Sequence, residues 1–261
     1  MTKQKLHIVK IGGNVINDDG ALRSFLKDFS VLEGFKILIH GGGNKATEIA
    51  SEMGLKPKMI NGRRVTDKAN LEVVTMVYAG LLNKKVTAIL QQNNCNAIGL
   101  SGADANCILA NKRIVKDVDY GFAGDIDVVN SETINMFLQH NIVPVFCAIT
   151  HDKKGQLLNT NADTIASEVA IAMSNLFNVE LSYVFELKGV LSSIEDENSV
   201  IKEINLQKYK QLIEQNIISD GMLPKMDNCF NALKKGVQKV KIGNSSLIKK
   251  TTDLYTTLSL R

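Results

Sequence analysis

Two hydrophobic patterns alternate along the chain. Short runs of β-branched and aliphatic residues, typical of buried strands, are followed by longer segments in which apolar side chains recur every three or four positions, typical of amphipathic helices. Strands are predicted near His7–Lys10, Lys36–His40, Ala97–Leu100, Ile142–Phe146, Leu181–Glu186 and Lys239–Ile242. Helices are predicted near Ala21–Phe29, Asn44–Met53, Asp67–Asn93, Ser131–His140, Asn161–Asn175 and Met226–Lys235.

Regular alternation of strands and helices predicts an α/β fold, a three-layer αβα sandwich around a mainly parallel open sheet. Three segments carry turn residues and are interpreted as short hairpins at the edge or mouth of that sheet: Lys58–Val65, Ile108–Val118 and Ala148–Leu158. The polar stretch Ser192–Ser199 is interpreted as an exposed loop. We place a boundary near residue 180, which gives lobes of residues 1–180 and 181–261.

Composition narrows the class of protein. The 261 residues are 44% hydrophobic and 22% charged, which is typical of a globular chain with one large core or two modest ones. The 31 basic residues exceed the 27 acidic ones by four, and they are dispersed, so no nucleic-acid partner is expected. The longest apolar run, Ile142–Ile149, is far below the roughly 20 residues that span a bilayer, so no membrane partner is expected.

The four cysteines do not form a recognisable site. The cysteines are widely separated in the sequence and form no C-x-x-C pair: Cys95, Cys107, Cys147 and Cys229. The chain has only four histidines, which are also scattered. We therefore expect free thiols and neither a zinc site nor a disulfide framework. Free thiols fit the reducing cytoplasm, which is the expected location.

Two glycine clusters each follow a predicted strand. They are Lys10-Ile11-Gly12-Gly13-Asn14 and His40-Gly41-Gly42-Gly43-Asn44. Glycine lets the main chain approach an anion closely, and a helix N-terminus adds partial positive charge, so both turns suit phosphate. Either cluster could also be only a tight strand-to-helix turn.

The glycine clusters indicate where phosphate would bind, but they leave the class of phosphate-binding site open. No Gly-Lys dipeptide occurs, so a Walker A loop is excluded. Gly41, Gly43 and Ala46 satisfy the looser dinucleotide pattern G-x-G-x-x-A, with Asp67 further on, so a nicotinamide-binding alternative stays open. No G-x-S-x-G or H-E-x-x-H motif is present, and His40 is interpreted as a strand-end residue.

Polar residues gather at the start of two later helices. The run Asn159-Thr160-Asn161-Ala162-Asp163 is more polar than one helix cap requires, which suggests a cluster that faces the phosphates. Asp220-Gly221-Met222-Leu223-Pro224-Lys225 places a lysine directly after a proline, which fixes the local backbone and suits an anion.

Taken together, these motifs resemble the acetylglutamate kinases of the amino-acid kinase family. The resemblance runs from residue 6 to residue 260, and its ordered motifs are Lys10-x-Gly12-Gly13, His40-Gly41-Gly42-Gly43, Gly62-Arg63-Arg64-Val65-Thr66, Gly99-Leu100-Ser101-Gly102-x-Asp104, Asn159-x-Asn161-Ala162-Asp163 and Asp220-Gly221-Met222-x-Pro224-Lys225. It implies an N-terminal lobe that binds the acylated glutamate and a C-terminal lobe that binds ATP.

The resemblance also implies roles for single residues. Lys10 and Lys225 would stabilise the transferring phosphoryl group, and Asp163 would orient both lysines. Backbone amides of Gly12, Gly13 and Gly43 would bind phosphate. The acylglutamate would be held by Gly42, Gly43, Arg64 and Asn159. The nucleotide would be surrounded by Glu186–Leu191 and Ile217–Lys225, including Glu186, Gly189, Asp220, Gly221 and Met222.

The implied reaction is phosphorylation of the γ-carboxylate of N-acetyl-L-glutamate by ATP with Mg²⁺, giving N-acetylglutamyl 5-phosphate and ADP, in arginine biosynthesis. Mg²⁺ would be held by ATP oxygens and water, without a dedicated protein site. Two alternatives stay open, namely N-succinyl-L-glutamate as the substrate and a catalytically idle nucleotide-binding regulatory module. We expect a homodimer paired through the apolar helix Asp67–Asn93. The resemblance also implies that feedback by arginine requires an additional helix before the first strand, and since only about five residues precede that strand here, no such feedback is expected.

The sequence departs from the family pattern at two places. Phe185-Glu186-Leu187-Lys188-Gly189 stands where relatives usually have an Asp, which affects the expected contacts to the nucleotide. Arg63 occupies a commonly apolar position beside Arg64, where a second cation could pair with a succinyl carboxylate. Strand alternation instead directs Arg63 away from Arg64, toward solvent, so N-acetylglutamate is the default substrate.

Overall fold

The computed structural model of this chain describes residues 3–60, 62–218, 222–249 and 254–261. Strands in these ranges are β1 (Lys5–Ile11), β2 (Phe35–His40), β3 (Lys58–Ile60), β4 (Arg63–Val65), β5 (Ala97–Leu100), β6 (Ile108–Lys112), β7 (Gly124–Val129), β8 (Val143–Phe146), β9 (Ile149–His151), β10 (Leu157–Asn159), β11 (Asn178–Val184), β12 (Glu203–Ile204), β13 (Lys239–Gly243) and β14 (Thr256–Leu258).

The helices in the same ranges are α1 (Gly13–Asn17), α2 (Asp19–Ser30), α3 (Gly43–Glu52), α4 (Lys68–Thr75), α5 (Asn83–Gln92), α6 (Ser131–Gln139), α7 (Ala162–Ser174), α8 (Leu206–Glu214), α9 (Met222–Lys234) and α10 (Ser246–Lys249). A π-helical segment, Met76–Leu82, joins α4 and α5 into one long helix.

The main sheet holds eight of the described strands in the order β12-β14-β13-β11-β1-β2-β8-β5. β1 lies inside it and pairs in parallel with both β2 and β11. The antiparallel pair is β13 with β14. The prediction of a mainly parallel sheet is confirmed, and the carboxyl ends of β1 and β2 bring the two glycine clusters to the same edge.

Helices cover both faces of the sheet because successive side chains of β1 point in opposite directions. Lys10 points to Asp163 of α7, whereas Val9 lies in a small cleft with Ile248 of α10. The aliphatic side chains between these layers, such as Leu6 and Ile37, are fully buried. Burial on both faces explains why the strands appear in the sequence as continuous apolar runs.

Hairpins flank the main sheet as predicted, with one error. β3 pairs with β4 and β9 pairs with β10, so the hairpins at Lys58–Val65 and Ala148–Leu158 are confirmed. The prediction of a hairpin within Ile108–Val118 is wrong. β6 continues through Lys112 and pairs with β7, which begins only at Gly124. A long connection replaces the expected tight turn, and neither its length nor its end is visible in local turn residues.

The long helix Lys68–Gln92 has the length and apolar composition to cross a membrane, a test that core helices also pass. Half of its most apolar stretch is buried inside the molecule. Its inner side includes Val74, Val86 and Leu90, so this side of the helix is part of the core.

Candidate active site

A cavity of about 410 Å³ opens at the carboxyl ends of β1 and β2. Its walls come from both glycine turns, the β3–β4 hairpin and the junction between β10 and α7. The structure brings seven of the predicted site residues together in this lining: Lys10, Gly13, Gly42, Gly43, Arg64, Asn159 and Asp163.

The first glycine turn connects β1 to α1. Gly12 caps α1, and its N–H donates to the carbonyl of Val184 at 2.8 Å. This amide is therefore engaged with β11, and the expected donation from Gly12 to phosphate is not supported. Gly13, the first residue of α1, lines the cavity and is the better placed donor of the pair.

The second glycine turn needs glycine for two reasons. Gly42 has φ +153°, in the region that side chains rarely adopt, and it caps α3. A Cβ at Gly42 would lie 2.4 Å from Cδ1 of Leu82. The turn is thus pressed against the π-helical segment, and Gly43 begins a helix whose first amides have no partner within the helix.

Asp163 joins the two predicted catalytic lysines. Its Oδ1 lies 2.6 Å from Nζ of Lys10, and its Oδ2 lies 3.6 Å from Nζ of Lys225. Burial acts to raise the pKa of Asp163, but the two ammonium groups outweigh it and hold that pKa below its ordinary value. Asp163 is therefore an anion at neutral pH that orients two cations on a cavity edge.

The position of Asp163 follows from the helix that carries it. The side chain of Asn161 accepts from the N–H of Thr164 at 3.0 Å, so Asn161 is the N-cap of α7. The segment Asn159–Asp163 thus has both of the roles that its composition suggested. It caps a helix, and it also sends Asn159 and Asp163 into the cavity.

Arg64 has a fixed, largely buried guanidinium. Its Nη2 donates to the carbonyl of Gly43 at 2.9 Å and to Oγ1 of Thr47 at 2.6 Å. Its Nη1 is buried and has no hydrogen-bond partner among the described residues. A buried guanidinium N–H without a partner is costly, so this atom is a strong candidate to meet a carboxylate of the ligand.

Arg63 does not point away from the site, and the expectation from strand alternation is wrong. It is half-buried and lines the same cavity as Arg64. Burial lowers the pKa of Arg63, the neighbouring Arg113 lowers it further, and Asp125 opposes both. β4 has only three residues and ends a hairpin, so the regular alternation of a long strand does not apply to it.

Arg113 is a cavity residue that the sequence did not reveal. Its Nε donates to Oδ1 of Asp125 at 3.0 Å, and its guanidinium lies 5.6 Å from the ring centroid of Tyr120. Tyr78 and Thr47 also line the cavity and were missed. None of these residues belongs to a glycine turn or a helix cap, so no local signal marked them.

The predicted nucleotide residues lie outside the lining of this cavity. Glu186 is exposed and accepts from Nδ2 of Asn14 at 2.7 Å. Gly189 is buried, and a Cβ there would lie 2.7 Å from Val200, so close packing accounts for this glycine. Met222 is half-buried at the start of α9. The predictions for Asp220 and Gly221 lie outside the described residues.

Among the described residues, His40 and the four cysteines do not supply a base or a nucleophile to this cavity. His40 is fully buried, and burial lowers its pKa to about 4. Its Nδ1 contacts the carbonyl of Gly41, and its Nε2 lies 3.1 Å from Nδ2 of Asn83. The four cysteines are free and buried, and burial raises the pKa of each thiol.

Within the described residues, no cluster of three or more His, Cys, Asp or Glu side chains could hold a metal ion. Asp163, the carboxylate that lines the cavity beside Lys10, is paired with two lysines. The residues present therefore fit a divalent cation only as part of an ATP complex, held mainly by phosphate oxygens and water.

Comparison with known proteins places the chain in a family. Residues 5–244 match the model of the amino acid kinase family. A protein from Phocaeicola vulgatus named acetylglutamate kinase is 50% identical over 94% of this chain and 96% of its own length. One of the same name from Cytophaga hutchinsonii is 52% identical over 92% of this chain and 91% of its own length.

A crystal structure from Streptococcus mutans UA159 shares the fold. It is 26% identical, covers 98% of this chain and 99% of its own, and superposes with a TM-score of 0.79. Fold, glycine turns and sequence similarity agree over nearly the whole chain. The chain is thus a kinase that belongs to the amino acid kinase family, in the group of the acetylglutamate kinases.

Proposed function

We propose that this chain transfers the γ-phosphoryl group of ATP to the γ-carboxylate of N-acetyl-L-glutamate, a step of arginine biosynthesis. The observation that carries the proposal is the Lys10–Asp163–Lys225 cluster at the edge of a cavity lined by two glycine turns. The relatives named acetylglutamate kinase support the same substrate.

The reaction needs positioning and charge more than proton transfer. An oxygen of the γ-carboxylate attacks the γ-phosphorus, a new P–O bond forms, the bond to the bridging oxygen of ATP breaks, and ADP leaves with that electron pair. A glutamate γ-carboxyl has an ordinary pKa of about 4.3, so it is ionised at neutral pH and requires no general base. This matches a cavity in which the carboxylate of Asp163 is already paired with two lysines.

Each residue then has a defined task. Lys10 and Lys225 stabilise negative charge on the phosphoryl group in transfer, and Asp163 sets the position of both. The amides of Gly13 and Gly43 bind phosphate oxygens. Arg64, whose buried Nη1 has no partner among the described residues, and Asn159 hold the acylglutamate, because both residues line the cavity together with Gly42 and Gly43. Mg²⁺ would be bound by ATP oxygens and water and would supply further neutralisation of the phosphate charge.

The two lobes are proposed to divide the substrates. Residues 1–180 contribute the cavity described above and would bind the acylglutamate, and residues 181–261 would bind ATP through Glu186, Gly189 and the start of α9. We further propose that the protein is cytoplasmic and forms a homodimer through the helix Lys68–Gln92, on which Met76 and Leu81 are half-exposed.

The deciding experiment is an ADP-release assay with Mg·ATP and either N-acetyl- or N-succinyl-L-glutamate. We expect turnover that depends on the acylglutamate. No ADP release with either substrate would contradict the proposal and favour the regulatory module, whereas ADP release that does not depend on either substrate would contradict the proposed acceptor.

N-succinyl-L-glutamate is a second candidate because Arg63 and Arg113 both line the cavity, beyond the cations that the reaction itself uses. A succinyl group ends in a carboxylate that must be paired when it is buried, and guanidinium groups are suited to that pairing. The relatives' names favour acetyl, so N-acetylglutamate remains the first candidate.

Arg63→Leu separates these two substrates. If Arg63 pairs with a succinyl carboxylate, the change lowers kcat/KM for N-succinylglutamate by roughly tenfold or more and leaves the value for N-acetylglutamate nearly unchanged. Arg23→Leu, on the exposed surface of α2, is the matched control. An unchanged succinyl-to-acetyl ratio in Arg63→Leu would remove Arg63 as the selector.

A further inference from the structure

The ammonium group of Lys225 faces two aromatic rings. Its Nζ lies 5.2 Å from the ring centroid of Phe185 and 5.8 Å from that of Tyr183. Both distances are within the range in which a cation is attracted to the negative face of an aromatic ring. Phe185 belongs to the stretch in which this chain departs from the family pattern, and its aromatic ring has no part in the roles assigned above.

Asp163 holds the two lysines unequally. Lys10 lies 2.6 Å from one carboxylate oxygen, and Lys225 lies 3.6 Å from the other. The longer separation is an ion pair without the directional constraint of a short hydrogen bond. The position of the Lys225 ammonium therefore depends on a second contact, which the aromatic rings supply from another direction.

The two rings are themselves firmly placed. Tyr183 is 1% exposed, and its hydroxyl donates to the backbone carbonyl of Asp163 at 3.1 Å. The backbone N–H of Phe185 donates to the carbonyl of Gly243 at 3.0 Å, and Cβ of Phe185 would lie 3.6 Å from a Cβ added at Gly12. Phe185 thus connects the first glycine turn to Lys225.

We propose that Phe185 is a positioning residue that holds the Lys225 ammonium by a cation–π contact, between Asp163 and the phosphoryl group in transfer. Without the ring, the ammonium would move closer to the Asp163 carboxylate and lose part of its contact with the phosphoryl oxygens. Since Lys225 acts on charge that develops during transfer, the effect falls on kcat and leaves KM for the acylglutamate nearly unchanged. This inference rests on the proposed function.

The test replaces Phe185 with phenylalanines that carry one, two, three and four ring fluorines. Fluorine withdraws electrons from the ring face and weakens its attraction for a cation while the shape is nearly kept. We expect kcat to fall stepwise, by roughly three- to thirtyfold over the series. Phe35, at the opposite end of the sheet and packed edge-on against Phe177, is the matched control position, where the same series leaves kcat unchanged.

A second arm repeats the series in Lys225→Gln. The stepwise effect should vanish there, because the cation is gone. A flat series in the otherwise active enzyme, or one that persists without Lys225, would overturn the inference about Phe185. If the proposed function itself is wrong, the outcome is distinguishable, because the unmodified enzyme would then show no ADP release that depends on an acylglutamate.

Discussion

At the scale of single residues, Asp163 matters most because it fixes two cations with one carboxylate. Its Oδ1 and Oδ2 serve Lys10 and Lys225 separately. Such an arrangement keeps two positive charges side by side, which would otherwise repel each other. Removing either lysine lowers the net charge of this cluster from +1 to 0, so the cluster no longer offers an excess positive charge to the phosphates.

Lys225→Ala tests this arrangement. We expect kcat to fall a few hundredfold, about 3–4 kcal/mol in activation free energy, because a preorganised charge that stabilises the transition state is lost. Steady-state kinetics with saturating Mg·ATP measure the effect. Lys234→Ala, an exposed lysine of the same helix, is the control. A kcat close to that of the unmodified enzyme would exclude Lys225 from the catalytic machinery.

His40 predicts a dependence of stability on pH. Its pKa is lowered from 6.5 to about 4 in the folded state, mainly by burial, so the unfolded chain binds the proton more readily between those values. Stability contributed by neutral His40 is complete above pH 6.5 and is lost as the pH falls toward 4. The loss at pH 5 is about 2 kcal/mol.

Urea unfolding at pH 7 and pH 5 measures this effect, with His40→Gln as the comparison. Glutamine retains polar atoms near Asn83 but does not titrate, so the free energy of unfolding of the variant should depend less on pH in this range. Equal pH dependence in both proteins would show that His40 does not contribute it.

At the scale of elements, the helix Lys68–Gln92 combines an inner side in the core with half-exposed apolar residues. Met76 is 52% exposed and Leu81 is 50% exposed, and both lie in the π-helical segment. The same segment packs Leu82 against Gly42. A dimer contact on this helix would therefore lie directly behind the second glycine turn.

If the dimer forms through this helix, a charged side chain introduced at its exposed apolar residues should weaken the dimer. Light scattering should give twice the 28.6 kDa chain mass for the unmodified protein, and Leu81→Glu should shift it toward the monomer because a buried, unpaired carboxylate is costly. Val31→Glu, at a 77% exposed position after α2, should leave the mass unchanged. A monomer before any substitution would contradict the dimer.

At the scale of the whole molecule, one sheet runs through both proposed lobes. The boundary at residue 180 falls inside β11, which pairs with β1 on one side and β13 on the other. Hydrogen bonds of the main sheet therefore cross the boundary. The lobes differ in which substrate they are proposed to bind, and they share their central framework.

Hydrogen exchange tests the division of substrates. A non-hydrolysable ATP analogue with Mg²⁺ should slow exchange in peptides of residues 186–191 and in α9, whereas N-acetylglutamate should slow it in β3–β4 and at the start of α3. Amides become protected where a ligand fixes the backbone. Protection by the nucleotide confined to residues 58–65 would contradict the assignment of lobes.

Features that depend on local chemistry could be predicted from the sequence. The period of the hydrophobic pattern and the composition predicted the parallel strands and their helices. The expected place of phosphate chemistry was indicated by the glycine clusters, the capped start of α7 and the lysines of the motifs. These signals work because strand period, helix caps and glycine conformations depend on neighbouring residues. Lys10, Asn159 and Asp163 accordingly meet in one cavity, where they are joined by Arg64, whose place in the site was implied by the resemblance to the family.

Features that depend on partners far away in the sequence became visible only in the folded chain. Arg63 enters the cavity because of its place in a short hairpin, and the Gly12 amide is occupied by Val184 because β1 pairs with β11. β6 pairs with β7 across an irregular connection, and Phe185 meets Lys225 from forty residues away in the sequence. The physical reason is common to all of them. Strand pairing and side-chain contacts are long-range interactions, and the residues close in sequence do not specify which partner is met.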